Sequence, residues 1–252
     1  MIPEAIQTII NRGQFDNVLR SRILSWDEPA FLKFLSLNVR KIASKLRAAR
    51  THEDQRDIGL ELFVARILSI AGCHVSYEPK SKGPDFLVKH EEESFFCEVK
   101  RIREVLPPTV EKMRMVEFPA GQFKIVSDII CNALLQIVPG EANVIYIRSN
   151  RFTMQKADLL DAFTAILDQI FSADGSFLKR KGFTGPGNFK ERAGSCSAII
   201  FDDLWSNSDH AQTTGKVYVN SAASHKLSER SIVVLQSAIK IPFIRATRVG
   251  GT

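Results

Sequence analysis

The chain has 252 residues, 44% of them hydrophobic and 25% charged, enough to bury one sizeable core and too apolar for a disordered chain. No apolar run reaches the ~18 residues that cross a bilayer: the greasiest, 129–138, is broken by Asn132 and Gln136, and an early Glu4 with no basic start reads as no secretory leader. Lys and Arg exceed Asp and Glu by 34 to 28, which permits a polyanionic partner without demanding one, so a cytoplasmic protein that does not enter the membrane is expected.

In chain order, residues 3–50 keep the i, i+3, i+4 apolar spacing of helices, through Ile6, Ile9 and Ile10 and then Phe31, Phe34, Leu35, Val39, Ile42 and Leu46. Asp27 is placed to cap the second run, and Pro29 suits a first helical turn. The polar stretch 51–55 sets this part off as an α-helical N-terminal extension, 1–54. Residues 55–252 then read as one α/β domain with its core at about 56–149.

That domain opens with a helix at 58–71, stopped by Gly72. A short strand at 73–77, a basic turn at 80–84, a strand at 85–89, an acidic tip at 90–94 and a returning strand at 95–102 follow. Pro107-Pro108 breaks the chain before a helix at 122–138, which Pro139-Gly140 ends. A strand at 144–147 and a helix at 156–171 come next. Residues 172–195, rich in Gly, Ser, Lys and Arg, read as a long loop. Strands at 198–201 and 217–219 and a helix at 228–240 complete the chain. Alternating helices and strands imply a mixed central sheet flanked by helices. The cysteines Cys73, Cys97, Cys131 and Cys196 form no C-x-x-C pair and read as buried, reduced thiols. The histidines are as scattered, so no structural zinc site is expected.

The chemistry concentrates in Gly83-Pro84-Asp85 and in Glu98-Val99-Lys100-Arg101. Side chains alternate along a strand, so Glu98 and Lys100 share a face. The hairpin brings Asp85 back beside Glu98. Two carboxylates and an ammonium at the end of an apolar strand are costly unless paired or bound to metal. Oxygen ligands of this kind suit Mg2+, with Mn2+ able to substitute, and the carbonyl of Val99 is placed to complete the shell. The lysine is placed to orient an attacking water.

Pro84-Asp85 and Glu98-Val99-Lys100, with twelve residues between the acids, resemble the motif of the PD-(D/E)XK nuclease superfamily. The resemblance covers about 56–149, where the α-β-β-β-α-β order also fits, and implies a restriction-endonuclease-like fold and metal-dependent cleavage of phosphodiester bonds. It gives Glu61, in the preceding helix, the role of the first acid. Asp57 and Glu53 are the alternatives on the same helix. Gln122 and Lys124, at the start of the helix after the hairpin, take the place of polar residues that face the site in such nucleases.

Nucleic acid, DNA before RNA, is the expected partner. Nine Lys and Arg against four acids in residues 1–50 and the cluster Lys179, Arg180, Lys181 could follow a phosphate backbone, with Phe183 or Phe189 stacking on a base. Arg101 and Arg103, of opposite parity to Lys100, point away from the site, toward a phosphate or water. Glu91, Glu92 and Glu93 read as a solvated tip. Homodimerisation, common where such nucleases cut both strands, is left open. The alternative to catalysis is a nucleic-acid-binding module on the same fold.

Overall fold

The computed structural model describes residues 1–12, 17–80, 83–103, 121–149, 156–171, 176–203 and 215–241. Among them the helices are α1 (Glu4–Arg12), α2 (Asn17–Ser25), α3 (Pro29–Ala48), α4 (His52–Ile70), α5 (Gly121–Leu134), α6 (Lys156–Phe171), α7 (Ser176–Arg180), α8 (Pro186–Ser195) and α9 (Glu229–Ala238). The strands are β1 (His74–Tyr77), β2 (Phe86–His90), β3 (Glu93–Ile102), β4 (Asn143–Ser149), β5 (Cys196–Asp203) and β6 (Lys216–Val219). None of the described helices is long and apolar enough to cross a membrane.

The strands form one mixed sheet in the order β1-β2-β3-β4-β5-β6. β1, β2 and β3 are antiparallel neighbours, β3, β4 and β5 are parallel, and β6 returns antiparallel to β5. Antiparallel strands join through tight turns, whereas parallel ones need crossovers. Accordingly β2 and β3 are closed by Glu91 and Glu92 alone, with Glu91 at a φ of 52°, a left-handed turn that matches strand twist. Helix α5 lies between β3 and β4, and α6 to α8 lie between β4 and β5.

β4 is buried along its whole length, as a central strand covered on both faces must be. Its residues alternate between two apolar clusters. Val144 and Tyr146 join one with α1–α4 and α9, and Ile145 and Ile147 join the other with α5–α8. The result is a mixed α/β sheet with helices on both faces. The N-terminal helices share the first of these cores: Ile6, Phe31, Phe34, Ile42 and Leu46 pack with Phe63 of α4 and with Tyr77 and Phe86 of the sheet. Phe34 alone brings its ring within 6.2 Å of Tyr77 and 6.4 Å of Phe86, both edge-on.

Four local expectations are corrected. The polar stretch 51–55 begins α4: the Thr51 hydroxyl accepts the Asp54 N–H and the Asp54 carboxylate accepts the Thr51 N–H, each at 3.1 Å. This is a capping box, in which a side chain and a backbone donor satisfy each other. The cap residue of α3 is Glu28, not Asp27, and its carboxylate is drawn to Arg66 of α4 (Nε 3.0 Å) and makes no cap. Residues 176–180 and 186–195, read as loop, are the helices α7 and α8. They are held by Phe183 and Phe189, which are buried against each other at 5.3 Å, so neither ring is free to stack on a base. Of the acidic tip, Glu91 and Glu92 are exposed as expected, but Glu93 is tied down, accepting the N–H of Ser228 at 3.1 Å and both the Ser228 and Ser231 hydroxyls at the start of α9. The four cysteines are buried free thiols.

Candidate functional site

The site arises where two strands part. β2 begins at Phe86, opposite Cys97, while β3 continues alongside β4 to Ile102. From Glu98 onward the β2-facing edge of β3 therefore has no strand partner, and Asp85 stands one residue before the last pair. Its Oδ2 accepts the Val99 N–H at 2.9 Å. A backbone donor that the ladder leaves open is thus satisfied by a carboxylate, which fixes the orientation of Asp85. Asp85 Oδ1 is left facing the cleft, 3.6 Å from the Lys45 ammonium.

Glu98 lies on the next position of β3 and is 3% exposed. Its Oε1 accepts from the Lys100 ammonium, two residues on along the same face. Its Oε2 is buried with no hydrogen-bond partner. Glu61, inside the all-round buried α4, is 7% exposed. Its Oε2 accepts from the Tyr77 hydroxyl at 2.5 Å and from Lys45 at 2.8 Å. Lys45 Nζ also stands 3.1 Å from Glu78 Oε1. Glu78 has a φ of 43°, and its N–H donates to the Asp85 carbonyl at 2.6 Å.

Burial and mutual repulsion dominate the electrostatics. Burial, then the Asp85 carboxylate, pushes Glu61 up to about 7 against the pull of Lys45 and Tyr77. The same two causes push Glu98 up to about 8 against Lys100. Asp85 is also raised by burial, opposed by Lys45 and by the Val99 N–H. Burial would lower Lys45, but Glu61 and Asp85 outweigh it and hold the ammonium charged. Four carboxylates (Glu61, Glu78, Asp85, Glu98) thus face two ammonium groups (Lys45, Lys100). With all four ionised the excess would be two negative charges; burial instead favours protons on Glu61 and Glu98, which a divalent cation would have to displace. Among the described residues no three His, Cys, Asp or Glu side chains stand ready as a metal-ligand group; Lys45 is interposed, within reach of Glu61 and Asp85 together.

An open cleft of about 1500 Å3 exposes this cluster. All four of Glu61, Asp85, Glu98 and Lys100 line it, as does Val99. The alternative acids on α4 serve a different network: Asp57 pairs with Arg101 at 2.8 Å and Arg103 at 2.6 Å, and Glu53 with Arg56 at 3.1 Å and Arg101 at 2.5 Å. Arg101 and Arg103 were expected to point away from the site; both instead line the same cleft, held by acids of α4, with the Arg101 side chain 4% exposed and that of Arg103 55%. Gln122 and Lys124 fall in the first turn of α5, but their side chains lie outside the described residues. Lys179, Arg180 and Lys181 do not line the cleft. Lys179 and Arg180 sit exposed at the end of α7, and Lys181 pairs with Asp128 of α5 at 2.5 Å.

Reading the sequence missed Lys45, Tyr77, Glu78 and Lys41. Lys41 Nζ donates to the carbonyls of Tyr77 at 2.8 Å and Glu78 at 2.7 Å, clamping the end of β1 to α3. The available signal was the pair Lys41 and Lys45, one turn apart and hence on one face of α3. No protein-family model, no curated protein and no solved structure matches the chain.

Proposed function

We propose that this chain is a Mg2+-dependent nuclease that hydrolyses phosphodiester bonds, with DNA as the expected substrate, on a restriction-endonuclease-like fold. The order α4-β1-β2-β3-α5-β4, with an antiparallel hairpin giving way to a parallel strand, supports the fold reading. The observation that carries the function is the Glu98 Oε2: a buried carboxylate oxygen with no partner, beside Asp85 and two residues from Lys100. Buried polar atoms are nearly always satisfied, and one left open beside a second buried carboxylate fits a hard cation. Asp85 Oδ1, Glu98 Oε2 and the Val99 carbonyl are the groups that would hold it. When bound, Mg2+ or Mn2+ supplies Lewis acidity, lowering the pKa of a water and offsetting charge on the phosphate.

The protein's own contribution is positioning. The Val99 N–H fixes Asp85, so its free oxygen needs no reorganisation. Lys100, anchored on Glu98 and 29% exposed, reaches the cleft from the same strand face and orients the attacking water. Glu61, held by the Tyr77 hydroxyl, supports the ligand sphere from the helix side. Labelled DNA and RNA incubated with the protein in Mg2+, Mn2+ or EDTA test the reading. Cleavage should require the metal and fall by about 10²-fold or more in Asp85→Ala and Lys100→Ala, the scale of losing an electrostatic stabiliser. Equal activity in both variants contradicts the assignment, and salt-sensitive binding without cleavage selects the non-catalytic module.

A further inference from the structure

We propose that the Lys45 ammonium is a built-in counter-cation of this site, held by Glu61 and Asp85 until a divalent ion between Asp85 and Glu98 displaces it from Asp85, so that helix α3 sets the metal affinity. The inference rests on the nuclease reading above and deepens it. Nζ of Lys45 lies 2.8 Å from Glu61, 3.1 Å from Glu78 and 3.6 Å from Asp85. Those three carboxylates come from α4, from the end of β1 and from the start of β2. Lys45 is the ammonium that pairs with Glu61.

Three observations make the contact exchangeable. The weakest of the three distances is to Asp85 Oδ1, the oxygen not committed to the Val99 N–H. The Lys45 side chain is 29% exposed, on a flexible four-carbon stem that can swing without moving the helix. Glu78, the most exposed of its partners at 38%, lies at the cleft rim, so the ammonium keeps one counter-charge when it leaves the other two. A further observation shows that the ammonium does not complete the site: Glu98 Oε2 stays unpartnered and buried. A divalent ion held by Asp85 and Glu98 would satisfy that oxygen, and its charge would repel an ammonium at contact distance.

Mn2+ binding to the full chain, measured by electron paramagnetic resonance and calorimetry without nucleic acid, tests this. Wild type is compared with Lys45→Met, Lys45→Gln, Lys45→Arg and Asp85→Asn. The neutral variants should bind Mn2+ about tenfold more tightly or better, since one like charge at contact distance is removed. Lys45→Arg, which keeps the charge, should stay at the wild-type affinity, and Asp85→Asn should lose binding. Where a neutral variant unfolds without the ion, its near-ultraviolet dichroism should return on adding Mn2+, because the ion takes over the role of the ammonium. Absence of that recovery, or neutral variants that fold and bind no more tightly than wild type, overturns the inference and leaves the metal site standing. Absence of Mn2+ binding in wild type and all variants overturns both.

Discussion

Glu61 and Glu98 are buried at 7% and 3% exposure and both feel the Asp85 carboxylate, so ionising them in the folded protein is unfavourable. Their carboxyls are raised from 4.5 to about 7 and about 8. The folded state therefore holds protons that the unfolded chain releases, and stability must fall as pH rises through that interval. Glu53 and Asp54, held low by Arg101 and by Thr51, and Glu93, held low by Ser228 and Ser231 despite its burial, act in the opposite sense but below pH 4.5. The ion-free protein is predicted to melt at a lower temperature at about pH 8.5 than at about pH 5.5. Glu98→Gln should flatten that decline, and saturating Mg2+ should diminish it in wild type. Calorimetry across the range checks this, and a flat or rising profile for ion-free wild type contradicts it. Asp85, Glu98 and Lys100 were legible in the sequence because strand parity and a hairpin between adjacent strands are local rules, although the tip, read as 90–94, closes on Glu91 and Glu92. Lys45 was not, because its place beside Glu61 depends on α3 packing across α4 and β1.

At the scale of elements, regular patterns were legible and short, sparsely apolar ones were not. The strands of the hairpin and β4 carry the period or the continuous apolar run that burial on one or two faces imposes. Helix α8 has Gly187, Asn188 and Lys190 in its first half and Phe189 as its buried apolar anchor, so composition alone spells a loop. Its one legible signal was Pro186, which occupies a first helical position. The capping box of α4 was equally visible as Thr51 three residues before Asp54. Because Phe189 packs edge-on to Phe183 in the second core, Phe189→Ala is predicted to cost about 3–5 kcal/mol in urea unfolding, as large aromatic truncations in cores do. A change within about 0.5 kcal/mol, the range of an exposed substitution, would return the ring to the surface and reopen its stacking role.

Over the whole molecule, the +6 charge has a geography that composition could not show. The basic N-terminal helices fold onto the same sheet face as α4, and through Lys41 and Lys45 they enter the cleft that holds the carboxylates. The helical extension thus lines the cleft of the candidate site, whereas the basic residues 179–181 lie outside that cleft. The mixed sheet flanked by helices followed from alternating helices and strands; the strand order, and which helix supplies the site's second ammonium, followed only from tertiary packing. The central claim is that Asp85 and Glu98 hold a divalent metal. A crystal of the full chain soaked in Mn2+, with anomalous diffraction recorded, tests it most directly. The account predicts an anomalous peak at coordination distance, about 2.0–2.3 Å, from Asp85 Oδ1 and Glu98 Oε2. A map at saturating Mn2+ with no peak between these two carboxylates, and Lys45 still paired with Glu61 and Asp85, would contradict it.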